Sequence, residues 1–134
     1  MFGRKPARAM LGSRPIIACV ATTDAARARA FYGEILGLRL VSEDRFALLF
    51  DAHGTKLRVS VVSELQAAPY AVLGWIVPDI RSSIAELAAR SVPVRRFEGM
   101  GQDEQGVWTS PTGVKVTWFC DPDGNTLSLT QTQY

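Results

Sequence analysis

From residue 15 onward the chain carries one pattern of elements twice, and an internal duplication restricts it to paired copies of one supersecondary unit. Ile16-Ile17-Ala18-Cys19-Val20 is short, apolar and partly β-branched, which marks a buried strand. Thr22-Thr23-Asp24 offers capping side chains, and the helix that follows puts Ala28, Phe31, Tyr32 and Ile35 on one face. Gly37 stands where a helix end favours positive φ. The second copy opens on Ala71-Val72-Leu73-Gly74-Trp75-Ile76-Val77 and is closed by Pro78-Asp79. Its helix aligns Ile80, Ile84, Leu87 and Ala88, and Pro93 prevents its continuation.

Three short strands are expected after each helix, over residues 38–41, 46–50 and 57–62 and then 92–97, 114–119 and 126–130. The turns Asp51-Ala52-His53-Gly54 and Asp121-Pro122-Asp123-Gly124-Asn125 supply the positive φ that hairpins need. Asp24 and Asp79 are 55 residues apart, whereas Asp51 and Asp121, like Gly54 and Gly124, are 70 apart. The fifteen extra residues fit one insertion around the Gly- and acid-rich stretch 98–106. One helix covers one face of each four-stranded sheet, and the second unit partners the first. The expected fold is therefore α+β: two tandem βαβββ modules forming a cup-shaped mixed sheet with helices on its outer face.

A length of 134 residues suits one domain, here 15–134, with modules of about 15–65 and 70–134. Residues 1–14 hold Arg4, Lys5, Arg8 and Arg14 and no acid, while the remainder carries eleven bases against thirteen acids. Short and interrupted by Gly and Pro, this basic leader reads as a flexible or loosely docked tail rather than a nucleic-acid or membrane anchor. No apolar run approaches the ~20 residues that span a bilayer, and no signal-like core opens the chain, so the expected location is cytoplasmic. Cys19 and Cys120 read as small buried residues in a reducing compartment rather than as a disulfide framework.

Three stretches resemble the vicinal-oxygen-chelate (glyoxalase/bleomycin-resistance/dioxygenase) superfamily. They are Asp24 with Arg29-Ala30-Phe31-Tyr32 and Ile35-Leu36-Gly37-Leu38, then Val77-Pro78-Asp79-Ile80, then Trp118-Phe119-Cys120-Asp121-Pro122-Asp123-Gly124-Asn125-Thr126-Leu127. In this order and spacing they cover nearly everything after Arg14. The resemblance implies paired βαβββ modules, a cup-shaped cavity and a homodimer. It also implies where metal ligands stand in members that use them: seven residues before the helix-opening Asp, and three after the Asp-Pro-Asp-Gly-Asn turn. Those positions are Ile17, Val72 and Ser128, and Arg58 is the counterpart of Ser128 in the first module. Two aliphatics, a hydroxyl and a guanidinium are not a divalent-metal donor set. The single histidine, His53, lies in a turn and shares no ligand spacing with Cys19 or Cys120. No metal and no other cofactor is expected.

Strand parity gives the cup a chemistry of its own. If Arg58 and Ser128 face inward, so do Lys56, Ser60, Thr126 and Thr130, while Leu57, Val59, Val61, Leu127 and Leu129 face the helices. Ile17 and Val72 complete the floor. Two readings of Arg58 stand side by side: an anion-binding point for a carboxylate or phosphate, or a cation tied to a nearby acid on a wet surface. Trp75 is assigned to the core and Trp108 to the cavity mouth; for Trp118, packing in the core or at a dimer contact is favoured. Asp103 and Glu104 are the candidates for a general base or a partner of Arg58, set against simple solvation in a Gly-rich loop.

These residues point to a metal-free protein that binds a small anionic or aromatic molecule in the cup. The alternative is a lyase or isomerase with a non-standard site or an exogenous divalent metal. Neither a Gly-x-Ser-x-Gly elbow nor a phosphate-cradling glycine loop is present, so whether the chain is an enzyme stays open at this point.

Overall fold

The structure, a computed structural model, describes residues 10–132. Most of the basic leader lies outside the described residues, and its described part, 10–14, is exposed. The elements run β1 (Ile17–Thr22), α1 (Ala25–Arg29), β2 (Arg39–Glu43), β3 (Ala47–Ala52), β4 (Thr55–Val61), β5 (Ala71–Ile76), α2 (Ile80–Ala89), β6 (Trp108–Thr109), β7 (Lys115–Cys120) and β8 (Thr126–Gln131). They form two four-stranded sheets in the orders β1-β4-β3-β2 and β5-β8-β7-β6. Each outer pair is antiparallel, and each module's first and last strands pair parallel. The modules meet along β1 and β5. This is the α+β, two-module architecture expected from the repeat.

The helices begin alike because the capping chemistry is alike. Asp24 (φ −146°, ψ 99°) accepts from the Arg27 amide, and Asp79 (φ −142°, ψ 101°) accepts from those of Arg81 and Ser82. After Arg29 the first helix widens into a π turn over Ala30–Ile35, with the Leu36 amide bonded to the Phe31 carbonyl. Consecutive residues Phe31 and Tyr32 are both buried in this wider turn, their rings edge to face at 5.2 Å. They pack on Leu48, Phe50, Leu57 and Val59, while Ile80 and Leu87 of α2 join Phe119, Leu127 and Leu129 in the same core. Ala88, expected on that stripe, is exposed, one step round the helix from Leu87.

Two expectations need correction. Residues 92–97 form no strand: Pro93 lacks an amide to donate, and Arg95 alone reaches β7, through its N–H to the Trp118 carbonyl. The Gln102 side chain occupies the positions a neighbouring strand would use, accepting from the Phe97 amide and donating to the Arg95 and Gly106 carbonyls. The strand that follows α2 is instead the two-residue β6. The 70-residue offset also holds only for the last strand. Asp51 pairs with Lys56 across β3 and β4, and the register partner of Thr126 is Cys120, so the second turn is one residue longer. Asp51 is thus a strand residue, and Asp121 a turn residue.

That longer turn ties the modules together. Buried Asp121 accepts from the Tyr32 hydroxyl at 2.6 Å, from the Asn125 amide and side chain, and from the Asp123 amide. Asp123 reaches the start of α1, accepting from the Thr22 and Thr23 hydroxyls, the Thr23 amide and Arg27. Asn125 donates to the Ala21 carbonyl at 2.9 Å. Burial and the Asp121 charge both push the Tyr32 hydroxyl far above its ordinary pKa, so it stays a donor. Burial alone raises the pKa of Asp123, but its hydrogen bonds outweigh that and leave it below the usual carboxylate value.

Asp123→Ala removes the hydrogen bonds from Thr22, Thr23 and Arg27 that join the modules, and should cost about 1–2 kcal/mol in urea unfolding at pH 7. Because its folded pKa is depressed, the stabilisation by Asp123 is full well above about 4 and fades as pH falls below that value. The gap between the native chain and Asp123→Asn should therefore narrow between pH 7 and pH 3; an unchanged gap would contradict this assignment.

Candidate functional site

The register sets the centre of the open face. In β1 and β4, Ile17 lies opposite Lys56 and Cys19 opposite Arg58; in β5 and β8, Gly74 lies opposite Ser128, with Val72 at an irregularity between Ala71 and Leu73. The 55- and 70-residue offsets carry Cys19–Arg58 onto Gly74–Ser128, so the four central positions are related as the duplication requires. Ile17 and Val72 are 42% and 40% exposed, Arg58 is exposed, and Leu57, Val59, Leu127 and Leu129 on the alternate parity are buried. Lys56, Ser60, Ser128 and Thr130 share the Arg58 side and are half-buried. Cys19, expected to be buried, is exposed on the same face, because its neighbours Ala18 and Val20 are the ones that turn toward the helices.

The cations of this face differ in their bonding. Lys56 Nζ is 3.1 Å from Asp51 Oδ1, and Arg39 adds a longer contact of 3.9 Å to the other oxygen. The hydrogen bond from Lys56, then that from the Gly54 amide, hold Asp51 below the usual carboxylate pKa. Arg58 has no hydrogen-bond or ion-pair partner among the described residues. The acid-tied reading of Arg58 therefore does not hold, whereas for Lys56 it does. The Ser128 hydroxyl likewise has no partner among the described residues. Space for it comes from Gly74, where an added Cβ would fall 2.3 Å from Ser128 Oγ and 3.1 Å from its carbonyl oxygen.

An aromatic wall stands beside these groups. Trp118 lies opposite Ser128 on β7 and is half-buried on the open face, its ring edge to face with Phe97 at 5.5 Å. Of the two packing roles expected for it, core or dimer contact, this excludes the core. Trp108 pairs with Val116, whose other neighbour is Thr130, and so belongs to this side too. Trp118, Phe97, Met100, Tyr70 and Thr126 line a pocket of about 250 Å³. At its edge Arg95 places one guanidinium nitrogen 3.3 Å from Cys120 Sγ and 3.3 Å from Thr126 Oγ1, with the guanidinium over the Phe97 ring. Arg95 and Phe97 escape sequence reading because a strand was assigned there. Trp118 escapes it because only pairing with Ser128 tells which face it joins. Trp75 does belong to the helix side, stacked on Phe119.

Asp103 and Glu104 are elsewhere. Asp103 accepts from the Val107 and Gln105 amides and pairs with Arg81 at 2.9 Å, not with Arg58. Those bonds, led by that of Val107, keep its pKa low. Glu104 lines a shallow hollow with Asp103, Arg81 and Gln105, and its carbonyl accepts from Arg96.

Two βαβββ modules joined along their first strands, with helices on one face and the other open, make the fold of the glyoxalase/bleomycin-resistance/dioxygenase (vicinal-oxygen-chelate) proteins. Among solved structures the chain is similar to lactoylglutathione lyase from Agrobacterium tumefaciens, at 18% identity over 89% of this chain and 93% of that one, with a TM-score of 0.69. It is similar to a superfamily member from Sphaerobacter thermophilus at 21% identity, 88% and 96% coverage and a TM-score of 0.69. The fosfomycin resistance protein of Listeria monocytogenes matches at 14% identity, 88% and 92% coverage and a TM-score of 0.65. No family model and no curated protein matches the sequence. What these likenesses establish is the fold.

The fold's name implies a metal, but the side chains at the centre do not fit one. Ile17 and Val72 have no donor atoms, Arg58 is a cation without a lone pair to give, and a lone serine hydroxyl is a poor ligand. Among the described residues no three His, Cys, Asp or Glu side chains are grouped to hold an ion. Gly74→Ala tests the geometry of the centre. The new methyl must displace Ser128 and its backbone, so urea unfolding should show a loss of about 1–3 kcal/mol. Stability equal to that of the native chain would mean that β5 and β8 are not in this register.

Proposed function

We propose that the open face binds a small aromatic anion without a metal, its acidic group on Arg58 and its ring beside Trp118. One observation carries this reading: Arg58 is a guanidinium at the centre of a polar face, a charge-assisted donor fork with no partner among the described residues. Ser128 adds a hydroxyl, Ile17 and Val72 an apolar floor, and Trp108, Trp118 and Phe97 the flat surfaces that aromatic ligands stack on. A few placed polar groups beside apolar and aromatic side chains are the ordinary makings of a small-molecule site. Two proteins of the same fold carry small-molecule names, fosfomycin resistance and lactoylglutathione lyase, which agrees with this reading.

Binding without turnover is the form supported best. Asp103, a candidate base, is held ionised by Arg81 and loop amides, and a low-pKa carboxylate bonded on both oxygens is a poor proton acceptor. No helix among the described residues is long and apolar enough to cross a membrane. The test is calorimetric titration with benzoate and phenylphosphonate before and after exhaustive chelation. Arg58→Met should weaken binding at least about tenfold, the size of one charge-assisted hydrogen bond, while chelation leaves affinity unchanged. Equal affinity in Arg58→Met would remove the site from Arg58, and loss of binding on chelation would replace this reading with a metal-dependent one.

A further inference from the structure

The seam between the modules is closed at one end and open at the other. At the closed end the β7–β8 turn fits against β1 and α1 through Asp123 and Asn125, which take donors from Thr22, Thr23 and Arg27 and donate to Ala21. The duplication offsets give the partners at the other end. Thr55 replaces Asn125, the shorter turn has Ala52-His53-Gly54 in place of Asp121-Pro122-Asp123-Gly124, and Ile76, Val77, Pro78, Ser82 and Leu87 replace Ala21, Thr22, Thr23, Arg27 and Tyr32. A shorter turn without a carboxylate or amide thus faces mostly apolar residues, and the second lock is not made. His53 and Gly54, at φ 51° and 91°, make a tight two-residue turn that stops short of β5.

What remains is a cleft of about 480 Å³ between the two sides. His53, Thr55 and Leu57 line it from β3 and β4, and Leu73, Trp75 and Ile76 from β5. Trp75 stacks on Phe119 with ring centroids 6.2 Å apart, which gives the cleft a rigid aromatic wall, and Ile76 is 76% exposed. The rim is basic. Asp51 is shared by Lys56 and Arg39, leaving one positive charge in excess, and the His53 imidazole has no partner among the described residues. No acid lines the cleft; Glu86 lies in an adjoining hollow that also carries Arg90.

We propose that this cleft, which adjoins the open face at Lys56 and Gly74, is a second small-molecule site and that it takes a carboxylate with a flat apolar body. The carboxylate lies at the His53, Thr55 and Lys56 rim, where the closed end has its own Asp123 carboxylate. The body lies against Leu73, Trp75 and Ile76, apolar side chains that are half-buried or exposed at the unlocked end. A ligand so placed joins the modules at their unlocked end and raises the thermal midpoint.

Naphthalene-2-carboxylate is the probe, added to ¹⁵N-labelled Arg58→Met protein so that the open face does not compete. Amide and indole resonances of His53, Thr55, Trp75 and Ile76 should shift, with a rise in thermal midpoint, and naphthalene-2-carboxamide should bind at least about fivefold more weakly. Ile76→Glu and, separately, His53→Asp bring a carboxylate to the cleft and should each weaken binding about tenfold or more. His53→Asp keeps a residue type that tolerates a left-handed turn, so its fold is maintained. Shifts confined to Trp118 and Ser128, or unchanged affinity in both variants, would overturn the proposal. Failure at Arg58 in the native chain with success here would leave the cleft standing alone.

Discussion

Two buried carboxylates at one turn hold the halves of this molecule together. Asp121 and Asp123 are taken from water and repaid by donors from the other module, Tyr32, Thr22, Thr23 and Arg27. Buried Asp121 so bonded has little choice of geometry, since losing its buried partner Tyr32 leaves polar atoms without water or protein. That turn ties the two sheets beside the contact of β1 with β5 and the core that both modules share. Its counterpart in module one is shorter and makes no such bonds; on that side Arg90 of α2 donates to the Ile35 carbonyl instead.

Divergence of the copies explains the site as well as the seam. Equivalent central positions hold Arg58 in one module and Ser128 in the other, and Cys19 in one and Gly74 in the other. A pseudo-symmetric centre has become asymmetric, with a cation on one side and a small hydroxyl beside open space on the other. The aromatic residues follow the same division: Trp118 faces Ser128, whereas its counterpart across from Arg58 is Leu49. Charge from the first module and flat surface from the second suit a ligand with two unlike ends.

Much of this was legible in the residues. Asp24 and Asp79 cap their helices with dihedrals within a few degrees of each other, as their spacing required. Parity on β4 and β8 placed Arg58, Lys56, Ser60 and Ser128 on one face because their neighbours are aliphatic and must be buried. What escaped was what depends on partners far along the chain. Residues 92–97 have strand-like composition, yet Pro93 and the Gln102 side chain take the place of a ladder. Cys19 and Trp118 alternate correctly with their neighbours, but nothing local says which parity faces solvent until β1 meets β4 and β7 meets β8. Whether Arg58 was paired was equally undecidable, since the nearby acid, Asp51, is taken by Lys56 across the hairpin.

The proposed function puts an anion on the Arg58 guanidinium, at a position where the family resemblance would imply a metal ligand. Crystals grown with 4-bromobenzoate, measured at the bromine absorption edge, test this most directly. The predicted map places a bromine peak over Trp118, with the carboxylate within hydrogen-bond distance of Arg58 and no ion between them. A carboxylate ligated to a metal ion at the centre, or a saturated crystal whose open face holds only solvent, would contradict it.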